Sequence, residues 1–489
     1  MDCKAAGQMT FVKINLSGGA VSVGYLDGLL QALADAGIVH VRFGARQQLY
    51  FDVSEAQLEE LEYVLLNQEL TYEVGQDAYP NIVSSYVADG IFTDAAWIRE
   101  GVYKDVLDSF DFAPRLKVNL MDSTQSFTPY STGNLNFLTA EMGNYWFLHI
   151  RFPGTNIFYR WSTLVYSDDI AGLCKFLEAP LLQTVVDIPQ AGEELGRRME
   201  RLAVDSGEFH FHSLSQPFIE QLFKLPYYEG FNAYQDRLWL GVYRRSETFT
   251  VAFLKDICTI CIRNRVGQVY TTPWKSIIIK DILPGDRSEW DAILDKHRIN
   301  LRHALNELNW QTEDYNLDGI MLKHQLVGEL NALDVRTYKL CFGIKIHGKT
   351  GVWGSVILRY LSGTGERSWY QIQRTSDFNP NSKDLIVYRD RVKRADLCSE
   401  LIGLCDEFYM FQELSRPRAN EDVAPVVVDE EGEAVVIYQC QRCLTRYDPS
   451  WGDLTQAVPA GVPFAGLPAG YICSVCGAAR NSFRLLTRS

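Results

Sequence analysis

Four cysteines near the end of the chain, Cys440-Gln-Arg-Cys443 and Cys473-Ser-Val-Cys476, form two CxxC knuckles with residues 444–472 between them. Each knuckle can turn two sulfurs toward one ion, and the pair completes a closed tetrahedral four-thiolate shell suited to iron or zinc. Spacing alone does not choose between the two metals. A unit of this size buries too little surface to be secure by itself, so metal ligation and clustered aromatics must supply much of its stability. A closed shell leaves no open coordination position, so the centre can pass electrons but cannot readily bind substrate. A disulfide framework is not expected, because the chain has eleven cysteines and begins Met-Asp-Cys-Lys without an apolar signal segment.

Between and around the knuckles stand Tyr438, Tyr447-Asp448-Pro449, Gly452-Asp453, Pro459, Gly461, Phe464, Leu467-Pro468, Tyr471 and Phe483. In knuckle spacing, turn residues and packing aromatics, residues 436–486 resemble rubredoxin. The resemblance implies one iron, held by Cys440, Cys443, Cys473 and Cys476, cycling between ferric and ferrous with no catalysis of its own. Rubredoxins usually carry glycine after each knuckle; here Gly477 is present but Leu444 stands at the first position, and Ser474 replaces the usual proline after Cys473. If that first turn needs a positive φ, leucine costs roughly 1 kcal/mol or forces another turn.

The remaining four-fifths has length for two or three domains, with 47% hydrophobic and 22% charged residues overall. A net charge of −14 argues against a nucleic-acid partner. No apolar run approaches the roughly 18–20 residues that cross a bilayer. A soluble, cytoplasmic protein is expected. Residues 414–434 combine Pro417 and Pro425 with the acidic run Asp429-Glu-Glu-Gly-Glu and lack helical periodicity, which reads as a solvated linker before a domain at 435–489.

Upstream lies an internal repeat. Residues 11–53 read as a strand at Phe11–Leu16, a helix near 22–36 with Leu26, Leu29, Leu30 and Leu33 on one face, then strands at Val39–Phe43 and Leu49–Val53. Residues 238–282 repeat that order, so that Leu26 answers Leu254, Val41 answers Val269 and Arg46 answers Trp274 at a constant offset of 228. Farther on, Ile150-Arg-Phe-Pro-Gly154 matches Ile344-Lys-Ile-His-Gly348 at an offset of only 194, which makes the second half shorter between these anchors by the difference of the two offsets. Two halves are expected, 9–200 and a shortened 201–413.

The segment Val41-Arg-Phe-Gly-Ala-Arg46-Gln47-Gln-Leu-Tyr-Phe, with a helix following at Glu55–Leu65, resembles the arginine-glutamine strand of sirohaem nitrite and sulfite reductases; Asn81-Ile-Val and Pro114-Arg115-Leu-Lys117-Val are similar to stretches that line that family's active site. The resemblance spans roughly residues 9–410 and implies an α+β fold, a two-fold repeat of ferredoxin-like and α/β units. It further implies that Arg46, Arg115 and Lys117 form an anion site, since the family's matching basic residues hold the oxyanion and the sirohaem carboxylates. Arg115 and Lys117, two apart on an expected strand, would share a face. The alternative is that all three are solvated or salt-bridged surface charges. The family also carries a [4Fe–4S] cluster on a CxxxxxC and a CxxxC pair in its second half, whereas residues 283–410 here offer Cys341, Cys398 and Cys405 with neither spacing. Neither sirohaem nor a [4Fe–4S] cluster is therefore expected.

Cys258-Thr-Ile-Cys261 lies in an apolar helix and reads as buried core thiols; His210-Phe-His212 reads as an exposed strand face. No dinucleotide or P-loop glycine fingerprint is present. The sequence points to a non-catalytic electron carrier: a rubredoxin tethered to a reductase-like scaffold, serving a redox partner in nitrate, nitrite or sulfite reduction. An oxyanion-reducing enzyme with a non-standard cofactor and an anion- or tetrapyrrole-binding redox sensor are the alternatives.

Overall fold

In a computed structural model the chain divides into two compact units, Met1–Glu407 and Phe408–Ser489. The structure describes residues 9–67, 71–92, 97–125, 127–214, 218–219, 222–348, 351–382, 384–415, 437–442, 445–449, 452–456, 458–468, 470–475 and 477–485. The expected linker thus falls outside the described residues, apart from its first two positions, which end a helix.

The first half opens with β1 (Thr10–Ile14), β2 (Ala20–Ser22), α1 (Val23–Asp35), β3 (His40–Phe43), β4 (Leu49–Val53), α2 (Glu55–Asn67) and β5 (Tyr72–Val74). It continues with β6 (Val83–Ser84), α3 (Glu100–Asp108), β7 (Val118–Met121), β8 (Leu135–Thr139), β9 (Tyr145–Arg151), β10 (Phe158–Arg160), β11 (Thr163–Tyr166), α4 (Ile170–Gln183), α5 (Pro189–Ser206) and β12 (Phe211–Ser213). The second half contains β13 (Gly230–Tyr234), β14 (Arg237–Val242), β15 (Phe249–Thr250), α6 (Val251–Arg263), β16 (Gln268–Thr271), β17 (Ile277–Ile282), α7 (Arg287–Lys296), α8 (Leu305–Leu308), β18 (Trp310–Thr312) and α9 (Leu317–Ala332). It closes with β19 (Phe342–Lys345), β20 (Val356–Ser362), β21 (Trp369–Thr375), β22 (Leu385–Lys393) and α10 (Leu397–Ser415).

The offset of 228 holds at the level of single hydrogen bonds. Ser22 Oγ accepts from Tyr25 N at 3.3 Å to cap α1, and Thr250 Oγ1 accepts from Phe253 N at 3.2 Å to cap α6, which satisfies donors the first helical turn leaves unpaired. The two helices also end alike, on a left-handed residue (Gly37, φ 72°; Arg265, φ 59°) followed by a 2.8 Å bond from Ile38 N to Leu33 O and from Val266 N to Cys261 O. Leu26, Leu29, Leu30 and Leu33 of α1 share one core with Phe253, Leu254, Ile257, Cys258 and Cys261 of α6. Cys258 and Cys261 are buried free thiols, as expected, and burial pushes Cys258 up to about 12.

The halves interlock. Their first sheets run β15-β3-β4-β1-β5 and β13-β14-β17-β16-β2, so each takes an edge strand from the other half. Phe249 pairs with Val41 and Val21 with Val269, two contacts related by the same offset.

The second sheets run β6-β7-β8-β9-β11-β12 and β18-β19-β20-β21-β22, parallel across the first three strands of each and antiparallel beyond. This order corrects the match made at an offset of 194. Ile344 lies on β19, the counterpart of β7, whereas Ile150 lies on β9, the counterpart of β21. Through the strand registers Ile150 answers Arg374 instead, close to the offset of the first sheets, so the second half is not shortened here. An apolar strand followed by glycine recurs wherever a buried strand leaves a sheet, and that produced the false alignment.

In the second unit β23 (Tyr438–Cys440), β24 (Arg446–Tyr447) and β25 (Phe483–Leu485) make a three-stranded antiparallel sheet, ordered β24-β23-β25. Its small core is Tyr447, Val458, Leu467, Tyr471, Ala478 and Phe483 around Cys440 and Cys473.

Candidate metal centre and basic cleft

Cys440 and Cys473 are both buried, at 0% and 2% exposure, in that aromatic core. Their loops close identically, Cys440 N donating to Thr445 O at 2.8 Å and Cys473 N to Ala478 O at 2.7 Å. The second turn is tightened by Gly477 N to Cys473 O at 2.9 Å, with Gly477 at φ 66°, where a Cβ would be strained. Cys443, Leu444 and Cys476 lie outside the described residues. Tyr438 stacks on Phe464 with centroids 4.0 Å apart, Tyr447 meets Tyr471 edge-on at 5.7 Å, and Phe483 contacts both Phe464 and Tyr471. The phenols find partners, Tyr447 OH on Val462 O at 2.7 Å and Tyr471 OH on Asp453 at 2.9 Å. Arg480, not singled out from sequence, ties the loop 464–467 down through Leu467 O, Phe464 O and Ala465 O. Cys440 and Cys473 suit a thiolate-held iron; with Cys443 and Cys476 they would hold it, and the iron would supply one-electron redox chemistry. Ile472 and Val475, 46% and 71% exposed, put an apolar surface beside Cys473.

The three candidate anion residues part company. Arg46 is half-buried and holds its guanidinium on carbonyls: Asn81 O accepts from Nε at 3.0 Å and Nη2 at 2.7 Å, and Val118 O accepts from Nη2 at 2.9 Å. Burial pulls Arg46 down to about 10. Lys117 lies across the same cavity of about 350 Å³, also lined by Asp77, Asp314, His347 and Trp353. Burial first, then Arg46 and Arg151, lowers Lys117 to about 8. Arg115 is exposed and does not line the cavity; its backbone NH donates to Glu178 at 2.6 Å. The two-apart strand argument fails there because residues 115–116 form a bend and β7 begins only at Val118.

The cavity's carboxylates are each committed. Asp77 pairs with Lys13, Asp314 accepts from Ala45 N and Lys275, and Glu313 holds His347 Nδ1 at 2.6 Å. Lys275 Nζ in turn sits 2.6 Å from Glu247, whose second partner is Lys323 at 3.2 Å. Burial alone would raise Glu247, but the two ammoniums outweigh it and hold the carboxyl at about 2.

Cys398 and Cys405 lie on α10, while Cys341 precedes β19, its NH on Ser355 Oγ. Burial raises these thiols to about 11, 12 and 12 for Cys398, Cys405 and Cys341. Among the described residues no three His, Cys, Asp or Glu side chains are placed to share a metal. His210 and His212 are exposed, His210 against Asp169, and no described helix is long and apolar enough to cross a membrane.

Residues 437–483 match the Rubredoxin family model. Rubredoxin-2 of Desulfovibrio desulfuricans is 45% identical over 53 residues, 10% of this chain and 86% of that protein. The rubredoxin of Azotobacter vinelandii is 40% identical over 50 residues, 10% of this chain and 69% of that one. The high molecular weight rubredoxin of Moorella thermoacetica is 44% identical over 46 residues, 9% of this chain but only 20% of its own length. Most of the chain is similar in fold to the NirA protein of Mycobacterium tuberculosis, with a TM-score of 0.62 over 82% of this chain and 81% of that one at 15% identity. The chain therefore belongs to the rubredoxin family through its C-terminal domain, which follows an α+β fold like that of NirA.

Proposed function

We propose that this protein is a non-catalytic electron carrier, in which one iron on Cys440, Cys443, Cys473 and Cys476 exchanges electrons with a protein of nitrate, nitrite or sulfite reduction. The observation that carries the reading is the pair of like-closed knuckles, each with a buried cysteine in an aromatic core. The apolar Ile472 and Val475 beside Cys473 suit transient docking, because a partner pressed against them excludes water from the electron's path. The upstream halves, 9–200 and 201–413, serve as a scaffold without sirohaem or cluster, joined through residues 414–434 in a cytoplasmic protein. A tether of that length raises the local concentration of one module at the other to the millimolar range. Arg46 and Lys117 support a second role for the scaffold, binding a small anion that reports on substrate supply.

Metal analysis with an absorption spectrum of the protein purified without added cofactor tests the reading. One iron per chain with thiolate-to-ferric bands is expected; a tetrapyrrole band or acid-labile sulfide overturns it. Serine at any one of the four cysteines should bleach the colour, whereas serine at Cys258 and Cys261 should not.

A further inference from the structure

A second, smaller cavity of about 110 Å³ adjoins the Arg46–Lys117 cavity and shares Thr132, Gly351, Val352 and Trp353 with it as common wall. Its charged lining is Arg151, the last residue of β9, and Lys345, the last of β19, one from each half of the repeat. Among the described residues no carboxylate lines it; its other polar side chains are those of Thr132, Asn156 and Ser382. Two cations facing one cavity with no anion between them are costly, and the cost is visible in both. Burial lowers Arg151, and burial together with Arg151 and Arg359 lowers Lys345.

Their hydrogen bonding is incomplete. Arg151 Nη2 donates to Thr132 O at 3.1 Å, but Arg151 Nε is buried with no acceptor among the described residues, an uncommon state for a guanidinium NH. Lys345 makes no ion pair with a carboxylate of the described residues. Folds retain such uncompensated groups where a ligand satisfies them. The volume equals roughly three to four waters at about 30 Å³ each, room for a small oxyanion and a water but not for a cofactor.

We infer that this cavity is a binding site for a small inorganic oxyanion, held by Arg151 and Lys345 across the seam between the halves and separate from the Arg46–Lys117 cavity. Arg151 offers a directional NH, Lys345 a point charge, and the Ser382 hydroxyl and Asn156 amide complete a donor set. The inference is independent of the electron-carrier reading.

Calorimetric titration of the full chain with inorganic sulfate at constant ionic strength, with acetate as the carboxylate arm, tests it. Sulfate should bind, and Lys345→Met should weaken one sulfate at least tenfold while leaving the melting temperature near wild type, since Lys345 donates no side-chain hydrogen bond among the described residues. Arg151→Gln should act on the same sulfate, and Lys117→Met should leave it in place. Sulfate binding untouched by Lys345→Met and by Arg151→Gln overturns the inference, as does no binding at this site in low salt. Loss of the sulfate on Lys117→Met alone puts the anion in the neighbouring cavity and overturns it too. Acetate binding as tightly as sulfate overturns the oxyanion assignment.

Discussion

At one position the two halves of the repeat use the same backbone for opposite ends. Gln47 (φ 62°) and Lys275 (φ 57°) occupy equivalent left-handed turns, each closed by like bonds, Gln47 N to Gly44 O and Lys275 N to Thr272 O. Each sends its side chain to the strand that opens its half's second sheet, Gln47 accepting from Ser84 N at 2.8 Å and Lys275 donating to Thr312 O at 3.0 Å. The preceding residue differs. Arg46 borders a cavity; Trp274 fills the matching place with an indole 3% exposed, its NH on Phe127 O at 2.8 Å and its ring 5.0 Å from Trp353. One half leaves a cavity at this position and the other fills its counterpart with core. The turn geometry permits either, and a single side chain decides.

The comparison breaks most sharply at Trp274. Trp274→Ala should cost about 3–5 kcal/mol, because it removes a buried indole and leaves a void beside Trp353; a shift of that size in the denaturant midpoint of the upstream fold is expected, and less than about 1 kcal/mol would mean the plug is not core. Next comes the ion cluster behind Lys275. Glu247→Gln should cost about 3 kcal/mol by leaving Lys275 and Lys323 undercompensated in the interior. Glu247 has a folded pKa of about 2, below its unfolded value of about 4.3, so its stabilisation is complete above that unfolded value and is lost as pH falls toward 2. The variant should therefore flatten the acid limb of a stability profile.

Arg46→Met tests the open half. It strands Asn81 O and Val118 O and should cost about 1–3 kcal/mol, less than Trp274→Ala, measured by the same denaturation. Lys117→Met should act in the opposite direction near neutral pH, raising stability, because it removes an ammonium that burial, Arg46 and Arg151 all penalise and that no salt bridge among the described residues offsets. Its signature is pH dependence. With a folded pKa of about 8 against roughly 10.4 unfolded, the unfolded chain binds more protons in that window, so wild-type stability should rise from pH 8 to 10.4 and the variant's should rise less. Anion affinity at this cavity should fall as pH passes 8.

What was legible in sequence was whatever recurs locally. The helix faces of α1 and α6 and the offset of 228 depend on short-range pattern and survive intact, and Cys440 and Cys473, one from each knuckle, share one core. The second sheets were misaligned because buried parallel strands read as interchangeable apolar runs; only pairing distinguishes β9 from β19. Arg115 was grouped with Lys117 by assuming extended chain through 114–118, and a bend after Pro114 reverses that. Arg151 and Lys345 stand opposite each other in the match at an offset of 194, which treats them as repeat equivalents and gives no sign that they line one cavity. Only the meeting of the two halves makes them neighbours. Arg480 carried no signal except a basic residue near aromatics.

The exchanged edge strands set a schedule for making the protein. Val41 waits for Phe249, and Val21 for Val269, so neither ferredoxin-like sheet can be completed until the chain has been synthesised well into its second half. At roughly 5–20 residues per second that is about 10–40 s during which β3 has an open edge and α1 has no α6 to cover its leucines. Contacts of such long range also slow folding itself. The nascent first half is thus the stage at which this chain is most exposed to aggregation, and a ribosome stalled between the halves would leave a species that no amount of iron can rescue.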